Sequence, residues 1–311
     1  MTKTAFIFPG QASQYVGMGR DFYDSSPKVR ELYEKASQIL GYNLAEISFD
    51  GPLEKLTETM YTQPAILVHS LAILTELAGD FDGIAFVAGH SLGEYSALAC
   101  AGVLSYEDAI LAVRERSRLM QTACDATSGI MAAIIGCEGD KLQELIAEAS
   151  SEGIVQPANF NSPGQVALSG DKKAIEKAVE LAKLYGARKA IPLQVGGAFH
   201  SPLMQSAQTE LERVLSDISF QGPAMKVVCN VSARGEGDPA VLRECLVGQI
   251  TSPVLWHQSI EYMHENGVEN FVEIGPGRVL SGLVKRTLKN VKIENIDTIE
   301  DLRKYMEVLV A

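Results

Sequence analysis

The sequence predicts an α/β protein: a large unit built on a parallel sheet, with a smaller unit inserted into it. Three observations carry the prediction. Short apolar runs of strand length alternate with amphipathic helical stretches for most of the 311 residues. One such run, 84–88, passes through Gly89-His90-Ser91-Leu92-Gly93 directly into an Ala- and Leu-rich helical stretch. The middle of the chain reads as strand, helix, strand, strand, helix, strand, an order of its own.

Residues 4–8 read as a buried strand stopped by Pro9-Gly10. No element is assigned from there to an apolar helix over 66–77. Strand 84–88 follows, then helices over 92–101 and 107–122, the second amphipathic. The middle set is strand 130–135, helix 140–149, strand 154–160, a Ser162-Pro163-Gly164 turn, strand 165–169, helix 172–185 and strand 188–195. That order is the ferredoxin-like one. The chain then resumes with helix 202–215, strand 226–230, helices near 240–250 and 257–265, and strand 270–274. There is no low-complexity tract and no internal repeat.

Composition narrows the function. Hydrophobic residues make up 46% and charged ones 21%, an ordinary globular balance. A net charge of -12 disfavours a nucleic-acid or anionic-membrane partner. No apolar run has the length of a membrane span. Cys100, Cys124, Cys137, Cys229 and Cys245 are scattered and odd in number, which is neither a disulfide framework nor a zinc site. The N-terminal residues lead straight into a strand rather than a secretory signal, so a reduced, cytoplasmic setting is expected.

Strand, Gly-x-Ser-x-Gly and helix in succession describe a nucleophile elbow. Glycines allow a sharp turn, and free N–H groups at a helix start favour a developing oxyanion. The same pattern also describes a serine that merely caps a helix. A serine nucleophile needs a base, and there are five histidines. His90 adjoins Ser91, and neighbours on such a turn point apart. His69 sits in an apolar helix and reads as core. His257 and His264 read as ordinary helix positions. His200 lies in a loop after Gly196-Gly197-Ala198-Phe199 and before Ser201-Pro202, where functional side chains are commonly mounted. Its bland reading is a cap for the following helix. No acidic residue announces itself as a third partner, but a backbone carbonyl can hold the imidazole instead.

Several segments together resemble the malonyl-CoA:acyl carrier protein transacylase family. They are Phe8-Pro9-Gly10-Gln11-Ala12-Ser13-Gln14, Thr62-Gln63-Pro64-Ala65, Gly89-His90-Ser91-Leu92-Gly93-Glu94-Tyr95, and Arg116 with Met120-Gln121. Further along come Ala158-Asn159-Phe160-Asn161-Ser162-Pro163-Gly164-Gln165, Gly197-Ala198-Phe199-His200-Ser201-Pro202 and Gly275-Pro276-Gly277. The matches run in order from near residue 5 to near residue 285.

The resemblance implies an α/β-hydrolase-like domain with a parallel-sheet core, residues 1–125 and 197–311, and a ferredoxin-like subdomain, 126–196. It implies Ser91 as nucleophile, His200 as general base and acid, and Gln249 orienting His200 through its backbone carbonyl. Gln11 and the Leu92 N–H would form the oxyanion hole. Arg116 would hold the malonyl carboxylate, Gln63 would line the pocket, and Phe199 would narrow it beside the acyl α-carbon. Asn159 and Asn161 would face the cleft and help bind coenzyme A. No metal or other cofactor is implied; the substrates are malonyl-CoA and phosphopantetheinylated acyl carrier protein, and the protein would act as a monomer. Leu255 departs from the family, which often carries a basic residue there.

Chemistry agrees with the arginine: a guanidinium matches the fork of a second carboxylate. Arg114, Arg116 and Arg118 share a helix, and alternate helix positions diverge by about 200°, so they cannot all face one pocket. An acidic carrier would dock on a local basic patch, either Lys183, Arg188 and Lys189 or Lys285, Arg286 and Lys289. A polyketide acyltransferase, a patatin-like serine hydrolase and a carrier-binding scaffold with a dead site are the competing readings.

Overall fold

The computed structural model describes residues 3–77, 81, 83–193 and 195–310. Their ten strands are β1 (Lys3–Phe8), β2 (Ile84–Gly89), β3 (Gly129–Ile135), β4 (Val155–Ser162), β5 (Gln165–Asp171), β6 (Lys189–Pro192), β7 (Lys226–Val228), β8 (Gly235–Glu236), β9 (Val268–Ile274) and β10 (Lys292–Ile296). One sheet has the order β10-β9-β1-β2-β7-β8 and is parallel except for the terminal β7–β8 pair. The other has the order β4-β5-β3-β6 and is wholly antiparallel. With its helices Asp140–Ala149 and Lys172–Leu181, the second sheet has the expected ferredoxin-like element order.

The parallel sheet is covered on both faces, so β1 buries Ala5 to Phe8 without a break. Alternate side chains still go to different cores. Phe6 and Phe8 pack with the helices Thr59–Glu76, Gly93–Cys100 and Tyr106–Asp125, whereas Ala5 and Ile7 pack with Trp256, Ile260 and Leu280. The antiparallel sheet has its own core of Ile134, Leu142, Leu145, Leu168 and Ile175.

Several elements differ from the sequence expectation. The apolar helix starts at Thr59 rather than 66, with Pro64 inside it. Proline reads as a helix breaker because it donates no N–H to the carbonyl four residues earlier. Here that carbonyl, of Met60, accepts the Tyr42 hydroxyl at 3.2 Å. The stretch left unassigned holds helices Arg20–Ser25, Pro27–Leu40, Leu44–Asp50 and Leu53–Thr57. Pro27–Leu40 carried legible signals: Ser26 as cap, Pro at the first turn, Gly41 at the end, and buried Val29, Tyr33, Ala36 and Leu40 at helical spacing. Helix Val279–Thr287, β10 and helix Ile299–Val310 also stand where the sequence pattern predicts no element. β6 is shorter than the expected 188–195, and helix Lys172–Leu181 ends before 185.

β4 is tied to the segment just before helix Trp256–Glu265. Val254 N donates to Ala158 O at 2.8 Å, and Phe160 N donates to Val254 O at 2.9 Å. Among the described residues no helix is long and apolar enough to cross a membrane.

Candidate active site

The carboxyl ends of β1 and β2 deliver two loops to one point, the usual location of a site on a parallel sheet. β1 ends before Gly10-Gln11-Ala12, and β2 ends at the Ser91 turn. Ser91 has φ +52°, in the left-handed region that costs a non-glycine residue about 1–3 kcal/mol. Its neighbours hold it there. Its N–H donates to Asn230 Oδ1 at 2.7 Å, and its carbonyl accepts from Gln249 Nε2 at 3.0 Å. The flanking glycines are required by close approach: a Cβ on Gly89 would lie 1.9 Å from the Gly93 backbone, and one on Gly93 2.1 Å from Phe8 O.

The helix itself starts at Gly93, and its first residues receive no side-chain cap from the serine. The Ser91 hydroxyl is engaged elsewhere. Oγ lies 2.8 Å from His200 Nε2 and accepts from an Arg116 terminal nitrogen at 3.0 Å. The helix-cap reading of Ser91 therefore does not describe this turn.

His200 Nδ1 lies 2.8 Å from the carbonyl of Gln249. A carbonyl only accepts, so Nδ1 carries the proton and Nε2 is left bare to accept from Ser91. Burial, then the nearby Arg116 charge, lowers the His200 pKa to about 3. Ser201, not His200, caps the next helical turn, with its hydroxyl accepting from Leu203 N.

Arg116 is 1% exposed. It donates to Gln63 Oε1 at 2.7 Å and to Gln249 Oε1 at 2.8 Å, and its guanidinium lies 5.6 Å from the centre of the Tyr95 ring. Burial lowers its pKa from the ordinary arginine value. Arg114 and Arg118, on the same helix, instead reach the Ile39 carbonyl and Glu115. The expected divergence of the three is what the helix shows.

Gln249 does more than the sequence suggested. Beyond its carbonyl on His200, its side chain bridges Arg116 to Glu94, with Nε2 donating to Glu94 Oε2 at 2.7 Å. Glu94 is fully buried, and burial raises its pKa to about 7 despite those donors. Asn230 completes this layer by donating Nδ2 to Gly89 O at 2.6 Å. Sequence reasoning assigned no role to Glu94 or Asn230. Glu94 was legible in principle, being one helical turn beyond Ser91 in the same motif; Asn230 lies at the end of β7 and carries no local signal.

The residues enclose a cavity of about 250 Å³, lined by Gln11, Gln63, Ser91, Leu92, Arg116, Asn159, Asn161, Phe199 and His200 among others. Asn161 Oδ1 lies 2.9 Å from His90 Nε2, and the His90 ring meets Trp256 edge-on. His90 thus faces the cavity without approaching Ser91 Oγ as a base. Helix Val279–Thr287 gives Val279, Leu280 and Leu283 to the wall. Its last turn carries Lys285 and Arg286, and Arg286 donates to Gln165, another lining residue, at 2.9 Å. Lys183, Arg188 and Lys189 lie instead around β6.

A strained serine, a neutral imidazole held by a carbonyl and a buried guanidinium in one cavity are the groups that serine acyl transfer uses. Residues 5–307 match the model of the acyl transferase domain, and the chain belongs to that family. It is 44% identical to malonyl CoA-acyl carrier protein transacylase of Bacillus subtilis over 304 residues, 96% of each chain. It is 42% identical to the Staphylococcus aureus protein of the same name, over 99% of each. Among solved structures, the malonyl-transacylase in complex with its type II PKS acyl-carrier protein superposes with TM-score 0.94 at 40% identity, covering 99% of this chain and 100% of that one. The Clostridium perfringens malonyl CoA-acyl carrier protein transacylase gives 0.93 at 39%, covering 99% and 97%.

Proposed function

We propose that the chain transfers the malonyl group of malonyl-CoA to the phosphopantetheine thiol of an acyl carrier protein, through a malonyl ester on Ser91, and so supplies fatty-acid elongation. The observation that carries the reading is the buried Arg116 guanidinium 3.0 Å from Ser91 Oγ. A cation buried beside a nucleophile suits an acyl group that ends in a second carboxylate.

His200 Nε2 takes the Ser91 proton as Oγ attacks the thioester carbon. The oxyanion rests on the Leu92 N–H and the Gln11 amide. His200 then gives the proton to the departing coenzyme A sulfur. The carrier thiol enters the same cavity and reverses the steps: its proton passes to His200, its sulfur attacks the ester, and Ser91 regains the proton. These steps need only acid–base and electrostatic chemistry, so the reading assigns no metal or redox cofactor. Gln249 holds the Nδ1 proton through its carbonyl, Gln63 braces Arg116, and Phe199 limits space beside the acyl α-carbon. Asn159 lines the coenzyme A path. Asn161 acts there through His90.

We take 126–196 as the small unit and the rest of the chain as the large one, and place the protein in the cytoplasm with its thioester substrates. Lys285, Arg286 and Lys289 are the favoured carrier dock, because the helix that carries Lys285 and Arg286, with Lys289 just past its end, forms part of the cavity wall. A polyketide carrier is the second reading for the acceptor, favoured by the similarity to the solved polyketide complex. Malonyl-CoA should add one malonyl mass to the intact protein, mapped to Ser91, and either class of holo carrier should then discharge it at its own rate. A Ser91→Ala protein that still transfers malonyl at the parent rate would sink the mechanism. Rapid release of free malonate without any thiol would point to a hydrolase.

A further inference from the structure

Gln156 lies on β4 in the smaller sheet and touches none of the reacting atoms named above. Its amide nitrogen has two protons, and both are engaged. One donates to the backbone carbonyl of His200 at 2.7 Å, the other to that of Thr251 at 3.0 Å. Those carbonyls belong to the two segments that meet in the His200–Gln249 pair. His200 Nδ1 reaches the Gln249 carbonyl at 2.8 Å, and Thr251 lies two residues further on. One amide therefore spans the same gap as the imidazole.

The brace acts where the backbone needs one. His200 has φ +57°, a left-handed conformation that persists only when its surroundings impose it. Anchoring its carbonyl fixes the peptide plane from which the imidazole projects. On the other side, the 251–254 segment is bound to β4 at three points: Thr251 O by Gln156, Val254 N by Ala158 O, and Val254 O by Phe160 N. β4 is thus the rail on which both halves of the base are mounted.

We propose that Gln156 is a positioning residue for the general base, holding the His200 loop against the 249–251 segment so that Nε2 stays in reach of Ser91 Oγ. The smaller sheet then contributes to the chemistry through β4 as well as walling the cavity. The proposal rests on His200 being the base. A simple staple between β4 and these two segments would use the same two hydrogen bonds and would affect stability alone.

The test is the single-turnover rate of Ser91 malonylation, followed by intact mass, for Gln156→Met, which keeps length and loses both donors. A drift of the base by a fraction of an ångström predicts a loss of about 10-fold in that rate, with the malonyl-CoA concentration for half-maximal rate unchanged. In a His200→Ala background the same substitution should change the residual rate by less than about 2-fold, because coupled residues are not additive. If Gln156→Met acylates at the parent rate while folded, or loses the same factor without His200, the proposal is wrong. A parent-like rate in His200→Ala alone would instead overturn the assignment of the base, and Gln156 with it. Should the Met variant fail to fold, Gln156→Asn, one methylene short, is read in the same two backgrounds with the same outcomes.

Discussion

If Arg116 clamps the malonyl carboxylate as proposed, removing its guanidinium should make acylation slower and less selective for malonyl. Charge-assisted hydrogen bonds contribute about 1.5–3 kcal/mol each, so a two-pronged grip on a carboxylate is worth about 3–6 kcal/mol before competition. Arg116 already donates to Gln63, Gln249 and Ser91, and an incoming carboxylate must displace some of these. The net gain therefore falls at the lower end, about 3 kcal/mol, which is about 100-fold at 1.4 kcal/mol per decade. For Arg116→Ala, acylation of Ser91 by malonyl-CoA should drop by about that factor, while acylation by acetyl-CoA, which has no second carboxylate, should change little. The assay is a pair of acylation time courses by intact mass. A malonyl-to-acetyl ratio within about 3-fold of the parent, in a folded variant, would refute the carboxylate clamp.

Asn230→Leu removes the acceptor for the Ser91 N–H and the donor to Gly89 O. Leaving those buried groups unpaired should cost about 1–3 kcal/mol of stability each, and acylation should slow as the strained turn relaxes; an unchanged melting temperature and rate would refute its role. Burial raises the Glu94 pKa from 4.5 to about 7, so the folded state binds its proton more tightly than the unfolded chain. The stability this contributes is full below about pH 4.5 and is lost as pH rises through 7. Glu94→Gln, which keeps both acceptor contacts, should therefore be less destabilised than the parent by alkaline titration; equal pH dependence in denaturant melts would contradict this. His200 has the opposite sign. Its folded pKa of about 3 lies below 6.5, so its contribution is full above pH 6.5 and is lost as pH falls toward 3. Reversing Lys285 and Lys289 to Glu, which spares the Arg286 contact to the cavity-lining Gln165, should raise the carrier-protein KM and alter its salt dependence more than it changes malonyl-CoA acylation; a parent-like KM would move the dock elsewhere.

The sequence by itself determined the class of the fold, the elbow and the family. Those signals are local: a strand is an apolar run, an elbow is five consecutive residues, and a smaller unit shows itself as an element order. Arg116 was selected by its motif, since periodicity alone ranked it with Arg114 and Arg118. The long helix from Thr59 was truncated because proline hides a helix whose freed carbonyl finds a partner as distant as Tyr42. Only the tertiary structure decided that Ser91 holds its hydroxyl toward His200 and Arg116 rather than capping a helix, because that depends on one left-handed φ, on a loop 109 residues away and on a helix residue 25 positions away. It also decided the layer behind them: Glu94, Asn230 and Gln249 meet across gaps of up to 155 residues, and no spacing rule in a sequence encodes a hydrogen bond between the ends of separate strands and helices.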